Sequence, residues 1–261
     1  MSANNNRWIS QNQCDVTTPK EVNVTNDYGT PNLLHFYYIP YIPGPLKDDM
    51  DVLTEDLRSW HAYELGQAEK HVQQQIEKKN LPSDDSIASR AKRTIYRAKV
   101  IQILREQNEA WKRIYEVDNT KPKILEVKKG EENGIIRKEL QSHYLTGNGI
   151  SQPFSVVLNV LNCTIVANPQ ANNNYWFSHA YLKYDRVTKT FRPDIRTSSF
   201  SVTQENKKGD DGIVIVKFVY QDYKMTLDRS LWRKERKHAE DIIATGKEIL
   251  KNLSFTFSVN A

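Results

Sequence analysis

The sequence predicts an α+β fold: an antiparallel β-sheet or sandwich with a long N-terminal αα-hairpin, and a C-terminal helix followed by a final strand. Three observations carry this expectation. Apolar residues recur at helical spacing through most of residues 47–117. Short β-prone runs separated by turn chemistry fill residues 121–228. A helical pattern over 229–253 then gives way to Phe255, Phe257 and Val259 alternating with Ser254, Thr256 and Ser258.

Residues 1–32 are rich in Asn, Thr and Gln, carry Trp8 and show no periodicity, so they read as an extended arm ahead of a single α+β domain at 33–261. Leu33 to Ile39 is a β-prone run closed by Pro40, Pro43, Gly44 and Pro45, residues that set turn dihedrals and remove ladder donors. Leu53, Leu57, Trp60, Leu65, Ala68, Val72 and Ile76 define the first long helix, with Asp48, Asp49 and Asp51 at its positive end. After a break at Asn80-Leu81-Pro82, Ser83 is the expected N-cap of a second helix. Its apolar positions Ile87, Ala91, Ile95, Ala98, Ile101, Leu104, Trp111 and Ile114 carry it to about Val117. The short connection makes the two helices antiparallel neighbours.

In the β-rich part, Lys129-Gly130, Asn133-Gly134, Gly147-Asn148-Gly149, Asn172-Asn173-Asn174 and Lys208-Gly209 supply turn signals. Phe154–Val166 and Ile213–Tyr220 are apolar on both faces, as in strands buried between layers. Asp228 then caps the expected C-terminal helix through Leu231, Ala239, Ile242, Ile249 and Leu250.

At 38% hydrophobic and 26% charged residues, with a mean hydropathy of -0.68, the composition is that of a polar globular protein rather than a disordered or membrane-embedded one. No apolar run approaches the about eighteen residues a membrane span needs, and the first thirty residues lack a signal-peptide pattern. A cytoplasmic location is therefore expected. Cys14 and Cys163 have no metal-ligand spacing, so neither a disulfide framework nor a zinc site is expected. The N-glycosylation triplets at Asn23, Asn162 and Asn252 read as chance, Asn162 lying in a run that looks buried.

No Gly-rich phosphate loop, nucleophile elbow, H-E-x-x-H pair or C-x-x-C motif occurs, and no cofactor is implied. His61 falls on the apolar stripe of the first helix, which assigns it to packing. His143 and His179 could join a polar site if their strands are neighbours, but read more simply as cross-strand packing residues, and the pair Cys163 and His179 would need a third orienting group before nucleophilic catalysis applied. A non-catalytic protein is the expectation.

Two basic clusters suggest anion binding instead. Arg90, Arg93 and Arg97 share one face of the second helix, expected to be exposed, where the alternative is a solvated face balanced by Glu69 and Glu77. Arg229, Arg233, Lys234, Arg236 and Lys237 crowd the start of the C-terminal helix, where the macrodipole already supplies positive charge. Either nearby acidic residues neutralise this cluster or an anion binds it, with Arg229, Arg233 and Lys237 as the proposed ligands. Trp8, Tyr37, Tyr38, Tyr175 and Trp176 combine large contact area with a polar tip and form a candidate interface.

Three functions fit. The first is a structural protein that self-assembles into a homo-oligomer, compatible in size and in Tyr and Asn content with a viral coat or occlusion-body matrix protein. The second is a nucleic-acid or other polyanion-binding protein, consistent with a net charge of +5. The third is a membrane-active protein whose helical hairpin inserts, against which stand Gln73-Gln74-Gln75 and the dense arginines.

Overall fold

The computed structural model describes residues 32–40, 44–117, 122–145, 158, 161–162, 165, 173–185, 187–188 and 190–259. The arm expected at the N-terminus therefore lies outside the described residues, as do Trp8, Cys14 and Cys163.

The fold is α+β. Strand β1 (Leu33–Pro40) leads through a 3-10 turn at Gly44–Leu46 into α1 (Lys47–Glu77) and α2 (Ile87–Gln107). Strands β2 (Trp111–Val117) and β3 (Lys123–Lys128), helix α3 (Glu132–Leu145), and strands β4 (Asn173–Asp185), β5 (Thr190–Lys207) and β6 (Asp210–Leu227) follow. Helix α4 (Arg229–Glu235), a 3-10 turn at Arg236–His238, α5 (Glu240–Leu253) and β7 (Ser254–Val259) complete it. Among the described residues the strands form one seven-stranded sheet in the order β2-β6-β5-β4-β1-β7, with β3 also paired to β6.

The sheet is mixed, which corrects the expectation of an antiparallel one. β1 runs parallel to both β4 and β7, with His35 opposite Ser178 and Ser254. Each partner is separated from β1 by helix-containing crossovers, and such connections return a strand in the same direction. β2 and β3 pair antiparallel with β6. Burial on both faces of β1, which leaves only Ile39 partly exposed, is the pattern of a parallel strand covered on two sides.

The chain divides into two compact units, one within Asp118–Tyr175 and Ser199–Gln221, the other within Val24–Val117, Trp176–Ser198 and Asp222–Ala261. In the first, the expected β-rich character is broken by α3. Asn133-Gly134, read above as a turn, lies in its first helical turn, and the Glu132 carboxylate accepts the Gly130 N–H at 2.6 Å. Ile136 and Leu140, four residues apart, bury its inner face. Leu158, Leu161, Asn162 and Ile165 are helical rather than extended, their apolar side chains buried at three- and four-residue spacing. Tyr175 stacks on Phe200, and His143 stacks on Tyr220. Gly209, at φ +82°, forms the tight β5–β6 turn that an L-residue with a side chain would resist.

In the second unit, α1 buries Leu53, Leu57, Trp60, Leu65, Ala68 and Val72 as its spacing predicts. Lys79 occupies the left-handed region at φ 58°, closing the helix while the Asn80 and Leu81 N–H groups bond the Gln75 carbonyl. Glycine suits this position better, so Lys79→Gly is expected to raise stability by about 1 kcal/mol, read from denaturant melts.

Helix α2 starts three residues later than expected. Ser86, not Ser83, is the N-cap: its hydroxyl accepts the Ser89 N–H, and Asp84 accepts from the Ser86 N–H and the Ser89 hydroxyl. Those bonds hold the Asp84 carboxyl well below the usual carboxylate range. The helix also ends at Gln107, ten residues short of the expected Val117. The Asn108 side chain accepts the Ala110 N–H at 2.7 Å, a turn that competes with continued helix, and Trp111–Val117 becomes β2.

The single C-terminal helix expected over 229–253 is instead two helices broken near Ala239, at φ -131°. Asp228 caps the first as expected, accepting from the Ser230 and Leu231 N–H groups. The break lets α4 direct arginines at α1 while α5 packs its Gly246 directly against Ala62.

Candidate functional site

Two polar clusters lie in the second unit, both built on the buried stripe of α1. In the first, Asp56 is 1% exposed yet ionically paired to three guanidinium groups. Arg229 donates from Nε at 2.8 Å, Arg233 from Nε and Nη2 at 3.0 and 2.7 Å, and Arg236 from Nη1 at 3.1 Å. Their spacing of four and three residues puts the arginines on one side of α4 and the turn after it. Trp232, between them, anchors α4 by donating Nε1–H to Ser59 Oγ at 2.9 Å.

A buried carboxylate needs its charge compensated, and one guanidinium would suffice. Three leave two positive charges in excess, on side chains 28%, 44% and 38% exposed for Arg229, Arg233 and Arg236. The hydrogen bond to Asp56 raises the Arg233 pKa further. Nearby Glu55 is engaged by Lys247 at 2.8 Å, and Glu235 accepts from Asn108 at 3.1 Å.

The second cluster is enclosed. Glu64 and Arg105 form a bidentate pair at 2.5 and 2.7 Å, tying α1 to α2. Arg105 also donates to Thr197 at 2.6 Å and lies over the Trp111 and Trp176 rings at 5.0 and 4.8 Å. Burial pushes the Glu64 carboxyl up and the guanidinium opposes it. Beside this pair, the Tyr37 hydroxyl meets His61 Nδ1 at 2.6 Å, and the His35 and His61 ring centroids are 4.7 Å apart. Burial drives the Tyr37 phenol far above its usual range.

Of the residues singled out from sequence, Arg229 and Arg233 come together at Asp56, whereas Lys237 is exposed in the 3-10 turn. The expected exposed face of Arg90, Arg93 and Arg97 does not exist: Arg93 and Arg97 are 4% and 2% exposed. Arg93 donates to the Pro82 and Asp84 carbonyls, Arg97 pairs with Glu69 at 2.7 Å, and Arg90 donates to the Asp85 carbonyl. α2 spends these charges on its own N-terminal loop and on α1. Tyr37, Tyr38, Tyr175 and Trp176 are buried within the chain, with Tyr38 hydroxyl and His179 Nδ1 3.1 Å apart. Arg236, part of the same basic cluster in the sequence though not among the proposed anion ligands, also reaches Asp56, whereas Asp56, Glu64, Arg105 and His35 carry no functional reading from the sequence. The available signal was helical phase: Asp56 sits three residues after Leu53 and four before Trp60, and Arg105 four after Ile101, so both fall on apolar stripes.

Among the described residues no group of three or more His, Cys, Asp or Glu is placed to hold a metal ion, and no helix is long and apolar enough to cross a membrane. No protein-family model matches the chain, and no curated protein matches it. Among solved structures, that of the Evf virulence factor aligns over 88% of this chain and 87% of its own, at 13% identity and a TM-score of 0.44.

Proposed function

We propose that this protein is a non-enzymatic binding protein for phosphate-bearing anions, with the arginine cluster at Asp56 as its recognition surface. The supporting observation is the charge imbalance there: one buried carboxylate orients three part-exposed guanidiniums. Each guanidinium carries five N–H groups, and the bonds to Asp56 use only one or two of them. The guanidiniums are part-exposed, and N–H groups beyond those bonds are of the kind that suits phosphate oxygens. Exposed Lys234 and Lys237 on the same segment add to the field. Self-association through the aromatic residues has less support, because Tyr37, Tyr38, Tyr175 and Trp176 are already covered within the chain.

Binding of a labelled single-stranded oligonucleotide and of inorganic pyrophosphate, followed by fluorescence anisotropy and calorimetry, tests the reading. Affinity for the oligonucleotide is expected to fall steeply with salt, and Arg233→Gln to weaken it roughly fivefold or more while reducing the salt slope by about one. Arg229 and Arg236 still compensate Asp56 in that variant, so the fold is retained. Equal binding by Arg233→Gln and the unaltered chain at every salt concentration would sink the proposal.

A further inference from the structure

His35 and His61 have no part in the anion surface, and their placement is unusual in a layer that already holds a buried guanidinium. Both are fully buried, one on β1 and one on α1, with their rings in contact across the helix-to-sheet interface. Among the described residues, neither ring nitrogen of His35 has a hydrogen-bond partner, nor does His61 Nε2. Buried polar atoms are paired in the great majority of cases, so three orphaned nitrogens in one contact mark a point of designed weakness or function.

The surroundings determine what these rings can tolerate. From α1, Glu64 lies in the layer, while Glu55 and Arg58 act on Tyr37 beside the pair. α2 contributes Arg105, β4 contributes Trp176 and Ser178, β5 contributes Thr197, and β7 places Ser254 opposite His35. α5 meets α1 nearby through Gly246 and Ile242, which carry no charge. Glu64 is already committed to Arg105 through both oxygens. Among the described residues, an imidazolium formed here would find Arg105 and no free carboxylate.

We infer that the His35–His61 contact is an acid-sensitive latch, neutral and closed at neutral pH, whose protonation separates α1 from β1. Neutral imidazoles pack as aromatic rings against Trp176 and Tyr37. Adding one proton places a second cation beside Arg105 in a dry layer, and adding two makes the histidines repel one another. Release of α1 exposes Leu53, Leu57, Trp60 and Leu65.

The direction of the pH effect follows from the burial. Burial first, then Arg105, holds His35 well below its usual value, and burial, then His35 and Arg105, does the same for His61. The unfolded chain therefore takes up protons first. Stability is complete above the ordinary histidine value of about 6.5 and is lost as pH falls below it, by about tenfold in the unfolding constant per pH unit for each histidine.

The test uses the full chain, with unfolding constants from denaturant melts between pH 8 and pH 5 read by tryptophan emission. Four of the five tryptophans, Trp60, Trp111, Trp176 and Trp232, are buried in this layer and report on it directly. The unfolding constant is expected to rise up to about a hundredfold per pH unit below pH 6.5, and His61→Gln or His35→Leu each to remove about tenfold of that. Variants that keep the full pH dependence would overturn the latch and assign acid lability to carboxylates. Histidine ring resonances of the unaltered chain provide an arm that needs no variant. Two that stay unresponsive until the fold opens support the latch, and titration of all six near the ordinary value in an intact fold overturns it.

Discussion

Gly246→Ala is expected to cost about 3 kcal/mol of stability and to lower the melting temperature by roughly 10 °C. Helices α1 and α5 cross so closely that a Cβ on Gly246 would overlap the Ala62 carbonyl oxygen and lie 2.9 Å from the Gly66 nitrogen. From the other side, a Cβ on Gly66 would overlap the Ile242 carbonyl oxygen and lie 2.8 Å from its Cγ2. Most of these obstacles are backbone atoms of a regular helix and cannot rotate away as a side-chain end can. The helices must part, and the packing of Ile243, Ile249, Leu250 and Leu253 in the shared core loosens with them. Gly134→Ala is the control: nothing lies within 4 Å of its Cβ position, and alanine is the better helix former there. Thermal and urea melts of the two variants should move in opposite directions, and equal melts would refute the close-crossing argument.

The same pair of helices shows what the sequence discloses and what it conceals. The phase of α1 was legible because Leu53, Leu57, Trp60, Leu65 and Val72 repeat on one face, and β7 was legible from its strict alternation. The end of α2 was not, because Trp111 and Ile114 happen to continue its helical spacing while Asn108 breaks the backbone by a side-chain bond invisible to periodicity. In α3 two local signals conflicted, Asn133-Gly134 favouring a turn and Ile136 with Leu140 favouring a helix; burial of the second pair prevailed. Strand direction was concealed as well, since alternation is identical in parallel and antiparallel pairing.

For the candidate site, the arginine spacing on α4 was visible but its target was not. Asp56 lies 173 residues before Arg229, a separation that no local pattern encodes. The question posed by the sequence, whether acidic residues or an anion offset those charges, is answered in part by Asp56, and the two charges left over are what the proposed anion would meet. A charged residue on an apolar helical stripe was the clue to both clusters.

That clue leads to the largest effect expected from a single side chain. Arg105→Met should cost about 4 kcal/mol, because it strands the Glu64 carboxylate in a layer that excludes water. Arg105 itself satisfies Glu64 and Thr197 and rests on two indole rings, so packing is lost along with charge. The deficit relative to the unaltered chain should shrink as pH falls. Burial already raises Glu64, and without the opposing guanidinium its folded-state value rises further, so the folded variant holds a proton that the unfolded chain gives up above about pH 4.3. Replacing both partners, as Glu64→Leu with Arg105→Met, removes the stranded charge and should cost less than Arg105→Met alone, as buried pairs exchanged for apolar side chains commonly do. A double-mutant cycle from denaturant melts at neutral pH makes the comparison. A double variant whose loss equals or exceeds the sum of the two single losses would mean that the pair is not coupled as its bidentate geometry requires.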